Sequence, residues 1–139
     1  MQERHNEATL NRPFGDRTID APMVQIDLHA YTQQIKAEDA WQKNDRNAIT
    51  VFKTGSMQMV LVALHKGAEL LPQLSESVLC VQVMEGHIHF ITDGATNEVK
   101  EGHIITLHEN LTYNIVAVEE STFLLTMSGI PNKQTHGIH

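Results

Sequence analysis

Cysteine is nearly absent from this chain. Cys80 stands alone in 139 residues, so no disulfide can form within the chain, and a lone thiol fits a reducing compartment. Its neighbours Leu79 and Val81 are apolar, as for a small buried hydrophobe. No His, Lys or Arg lies beside it to activate a nucleophile. Aromatic residues are also scarce, at 5%, so aliphatic side chains and methionine must fill the core. No long apolar run exists: the longest, Met59 to Leu64, is far short of the roughly 20 residues a membrane helix needs. A basic excess is missing too. Lys and Arg number 10 against 17 Asp and Glu, giving a net charge of −7, which disfavours nucleic acid and anionic membranes as partners. The first twenty residues hold no apolar stretch of the signal-peptide kind, so the expected location is cytoplasmic. Motifs for acyl transfer (G-x-S-x-G), phosphate-binding glycine loops and Cys/His zinc spacings are all lacking.

What is present is a regular series of short strands. Residues 1–20 are polar, with Pro13 and Gly15 as breakers, and read as a flexible N-terminal arm. Met23 to Leu28 alternates, with Val24, Ile26 and Leu28 on one side, and predicts a short strand. His29 to Lys43 has helical spacing of Tyr31, Ile35 and Trp41, predicting one or two short helices. From Ala48 the pattern is β throughout: Ile49 to Lys53, Met57 to His65, Val78 to Met84, His87 to Thr92, Asn97 to Val99, Ile104 to Leu107, Tyr113 to Val118 and Thr122 to Thr126. Turn pairs such as Lys66-Gly67, Glu85-Gly86, Asp93-Gly94 and Glu101-Gly102 separate them. Short strands at such spacing predict a β-sandwich or barrel. The apolar content of 41% supports one core, hence a single domain over 21–128, with 129–139 as a flexible C-terminal tail.

Two segments carry a resemblance. Val81-Gln82-Val83-Met84-Glu85-Gly86 and Val99-Lys100-Glu101-Gly102-His103-Ile104-Ile105-Thr106-Leu107 resemble the "V-x-V-L-E-G … L-x-x-G-D" core of small cupins. The resemblance implies an all-β fold, a cupin-type jelly-roll β-barrel with a short N-terminal strand and one or two short helices. It also implies a homodimer; the segment Val24 to Leu28 is expected to add to a sheet edge of the partner, since an unpaired edge is a liability. It implies no particular chemistry, because the fold hosts many.

Cupins bind a metal through G-x5-H-x-H-x3-4-E-x6-G and G-x5-P-x-G-x2-H-x3-N. Carried onto this chain, the first motif runs from Gly67 to Gly86, with its glutamate at Leu79 and its histidines near Leu74 and Glu76. The second begins at Gly102: its proline becomes His108, its glycine Asn110, its histidine Tyr113 and its asparagine Ala117. Asn tolerates the left-handed conformation a glycine supplies. Leu binds no metal, and a neutral phenol is a poor ligand. A catalytic site needs about three protein ligands, so no metal is expected at the usual place, and no cofactor is predicted.

The expected interior is then mainly apolar. Leu79, Val81 and Val83 face it from one strand, and Tyr113, Ile115 and Ala117 from another. The ligand-pocket candidates are His65, Leu74, Glu76, Leu79, Val81, Tyr113 and Ala117, holding a small, mostly apolar molecule; otherwise the interior is packed shut and the barrel serves a protein partner. Nine histidines keep a relocated metal site open as the alternative. His87 and His89 point to one face of a predicted strand and form either its polar face or, with His65, a site for a divalent transition metal in an oxygenase or isomerase. A metal-free enzyme working through Tyr113 and Glu76 is the third reading. His103 and His108 flank a strand on opposite faces, while His5, His29, His136 and His139 carry no pattern.

Overall fold

The structure, a computed structural model, describes residues 4–6 and 17–129. His136, His139 and all but the first residue of the expected tail lie outside the described residues. Two short strands near the start, β1 (Arg4–Asn6) and β2 (Arg17–Asp20), pair antiparallel. Two helices follow, α1 (Leu28–Ala37) and α2 (Asp39–Lys43). Nine strands then build the body: β3 (Arg46–Lys53), β4 (Met57–Leu64), β5 (Glu69–Ser75), β6 (Val78–Glu85), β7 (His87–Thr92), β8 (Ala95–Lys100), β9 (Ile104–Leu107), β10 (Leu111–Ala117) and β11 (Ser121–Ser128).

These nine strands form two antiparallel sheets, ordered β3-β4-β11-β6-β9 and β5-β10-β7-β8. The period-2 alternation seen in the sequence sends one set of side chains between the sheets. Val62, Leu79, Val81, Val83 and Phe123 of the larger sheet meet Ile88, Phe90, Tyr113, Ile115 and Ala117 of the smaller one in a single apolar cluster. No helix among the described residues is long and apolar enough to cross a membrane.

A second cluster lies on the outer face of the larger sheet. Ile49, Val51, Leu61, Ala63 and Leu124 are covered there by Ile35 of α1 and Trp41 of α2. The helical spacing of Ile35 and Trp41 produces this, since both point at the sheet and are buried. Burying each contributes about 1.5–3 kcal/mol.

The strand expected at Met23 to Leu28 does not form; residues 21–27 join no sheet. Ile26 and Leu28 instead pack on the outer cluster as the lead-in to α1. Asp27 caps that helix, its carboxylate accepting a hydrogen bond from the Ala30 amide at 3.0 Å. An extended lead-in has the same period as a strand, so alternation alone does not separate them. With no strand there, the expected addition of this segment to a partner's sheet edge also loses its basis.

Strand β5 carries no alternation signal in the sequence. Its edge position, with Pro72 in its middle, explains this. Proline is tolerated at a sheet edge, where its missing N–H breaks no inner ladder. A register shift against β10 between Tyr113 and Ile115 adds an extra residue on the β5 side, which switches the face on which its side chains lie.

Candidate functional site

The interior around Tyr113 is the first candidate. Strand β10 brings Tyr113 inward opposite Gln73 of β5, and Leu111 opposite Ser75. Directly opposed residues share a face, so Gln73 and Ser75 lie on the face of Tyr113. Leu74 is 57% exposed and Glu76 is exposed. The pocket candidates Leu74 and Glu76 are therefore corrected: both turn outward. The motif's own spacing is the reason: the x5 spacer from Gly67 ends on Gln73, and a placement one residue later exchanges the two faces. Glu76 does not meet Tyr113, which removes the pair needed for a metal-free enzyme of that kind.

Leu79, Val81, Tyr113 and Ala117 do face the interior, as expected, and all four belong to the packed core. The Tyr113 ring stacks on Phe90 with ring centroids 5.4 Å apart and planes 5° from parallel. Burial pushes the Tyr113 phenol above its ordinary pKa, so it stays neutral. Ser75 is buried and its hydroxyl donates to the Ser77 carbonyl.

His65 is also corrected. It follows Leu64 at the end of β4 and turns to the outer face, not into the interior. Its ring stacks on Trp41 at 3.5 Å between centroids, and its Nε2 lies 2.9 Å from the Trp41 carbonyl oxygen. Its partners thus sit in the helical cover, and the group formed by His87 and His89 does not include it.

The second candidate lies on the outer face of the smaller sheet. On β7, Ile88 and Phe90 are buried while His87 and His89 face outward, as alternation predicts. The adjacent strand β8 places Glu98 directly opposite His89. The Glu98 carboxylate oxygen Oε1 lies 3.5 Å from His87 Nε2 and 3.7 Å from His89 Nε2. The sequence reading missed Glu98, because only the β7–β8 register brings it to the histidines. The Asp93-Gly94 turn, with two residues between strands ending at Thr92 and starting at Ala95, was the available signal. His29, His103 and His108 are exposed and join no such group. Cys80 is free and half-buried.

No protein-family model matches the chain, and no curated protein does. Solved structures match. A conserved protein of unknown function from Streptococcus pyogenes has a TM-score of 0.60 and 22% identity, covering 65% of this chain and 78% of its own. A cupin superfamily protein from Desulfitobacterium hafniense has a TM-score of 0.61 and 10% identity, covering 63% and 80%. An RmlC-like cupin with a double-stranded β-helix fold from Methanocaldococcus jannaschii has a TM-score of 0.60 and 17% identity, covering 68% and 90%. The fold is that of the cupins.

Within the cupin fold, the corrected register rewrites the first motif as Gly67-x5-Gln73-x-Ser75-x3-Leu79-x6-Gly86. The second motif keeps Asn110 in place of glycine, and its φ of 69° is left-handed as the substitution requires. The four donor positions of the cupin metal centre are thus Gln73, Ser75, Leu79 and Tyr113. These residues do not fit a transition metal. Leu79 offers no donor, Gln73 is exposed and brings only a neutral amide, Ser75 is engaged with Ser77, and Tyr113 is held neutral. Such metals need imidazole, carboxylate or thiolate ligands.

Proposed function

We propose that this protein is a non-catalytic cupin, metal-free at the usual site, whose barrel interior is a packed core and which works as a protein-binding module, with a second copy of itself as one partner. The observation that carries the reading is the state of the interior. Leu79, Val81, Tyr113 and Ala117 are between 0% and 6% exposed, leaving almost no surface for a ligand to touch. A pocket for a small molecule is lined by reachable surface with a few convergent polar groups. Here the space is taken by the Phe90–Tyr113 stack and the aliphatic side chains around it.

Support for a partner comes from β5. Leu71 is 71% and Leu74 57% exposed on this edge strand. An uncovered apolar edge is a liability that proteins cover, charge or pair. Covering it with a second copy removes two leucines from water, worth about 1.5–3 kcal/mol for each when fully buried.

Light scattering coupled to size exclusion tests this. The expected result is a dimer for the native chain and a monomer for Leu71→Asp/Leu74→Asp, with the far-UV circular dichroism of the native chain retained. A monomeric native chain, or a dimer that survives the double substitution, overturns it. A thermal-shift screen against small apolar compounds is expected to give no stabilisation that Tyr113→Ala abolishes; such a hit would restore an interior ligand.

A further inference from the structure

We propose that His87, His89 and Glu98 form a surface site for a divalent transition metal, with Zn(II) as the best-matched ion and a fourth position left open to water. The site lies on the outer face of the smaller sheet, apart from the barrel interior and from β5, so it goes beyond the reading above and does not depend on it.

The donor distances carry the inference. Two donors bound tetrahedrally at about 2.1 Å from Zn(II) stand about 3.4 Å apart. The observed Glu98 separations are 3.5 Å to His87 and 3.7 Å to His89. The three donor atoms all lie within 4.8 Å of one another, so small side-chain rotations close the set. Two imidazoles and one carboxylate with an open position are a known ligand combination for zinc.

The state of His87 is a second observation. Its Nε2 is buried and makes no hydrogen bond, although the Glu98 carboxylate stands 3.5 Å away. An unsatisfied buried polar atom costs about 1–3 kcal/mol, and a cation between this nitrogen and the carboxylate would satisfy both. The backbone of His87 is also held. Its amide donates to Ser121 Oγ at 2.9 Å, and its carbonyl accepts from the Val118 amide at 3.0 Å. Gly86 brings the chain this close: a Cβ there would stand 2.4 Å from Ser121 Oγ. A ligand on fixed backbone loses little freedom on binding.

The neighbouring strands present one opposing charge. Lys100 faces His87 across β8, but it is exposed and its four-carbon stem can carry the ammonium away. On the other side His89 faces Val116 of β10, which is apolar.

Equilibrium dialysis of the full chain without an affinity tag, against Zn(II), tests the site. One equivalent is expected, weakened at least tenfold by His89→Ala and by Glu98→Gln. Both residues are partly or fully exposed, so both variants should fold. Co(II) is expected to give the visible bands of a low-coordinate site in the native chain and not in either variant. His29→Ala/His108→Ala and His136→Ala/His139→Ala are expected to bind as the native chain does. No binding, binding that survives His89→Ala and Glu98→Gln, or binding lost in either control pair overturns the proposal.

Discussion

Tyr113 on β10 and Phe90 on β7 are diagonal cross-strand neighbours whose rings lie almost parallel in the middle of the barrel. Both rings belong to the apolar cluster between the two sheets.

Tyr113 gives a pH dependence. Its pKa is raised above the ordinary 10.0 by burial. The folded state therefore holds the phenolic proton more tightly than the unfolded state. The resulting stability is fully present below the unfolded pKa and is lost as pH rises through the folded one. Urea unfolding is expected to show stability falling above about pH 10. In Tyr113→Phe that fall should be shallower, while stability near neutral pH changes by less than about 1.5 kcal/mol. Identical slopes for the two proteins would rule out Tyr113 as the source.

Phe90 carries more of the interior. It is fully buried at the centre of the core cluster. Phe90→Ala should cost about 3–5 kcal/mol, read from denaturant midpoints at unchanged slope. A cost under about 1 kcal/mol would mean that the interior is not packed around this ring.

Gly86 and Gly94 separate two reasons for a turn glycine. Both have positive φ, 88° and 73°. A Cβ at Gly86 would lie 2.3 Å from the Glu120 carbonyl oxygen, whereas one at Gly94 meets nothing within 4 Å. Gly94→Ala should cost about 1–2 kcal/mol, the price of the left-handed conformation alone. Gly86→Ala should cost distinctly more, since backbone must also move. Equal shifts in thermal midpoint would contradict the close approach of the two turns.

Much of this was legible in the sequence, for a local reason. Strand alternation and turn glycines act over two to four residues. They placed seven of the body strands to within a few residues, and β10 to within two. Ile35 and Trp41 were likewise readable as the apolar side of the helices. The lead-in at Ile26 and Leu28 misled because extended chain and strand share a period. Strand β5 escaped because its edge position and Pro72 leave no alternation to read.

The sequence by itself determined which positions alternate, where the chain turns, and that Tyr113 stands where the second motif wants a ligand. Tertiary structure alone decided the partners. The β5–β10 register set Gln73 opposite Tyr113 and Ser75 opposite Leu111, in place of Leu74 and Glu76. The β7–β8 register brought Glu98 to His87 and His89. The physical reason is that a strand's period fixes which way a side chain points, while its neighbour across the sheet is set by register and bulges.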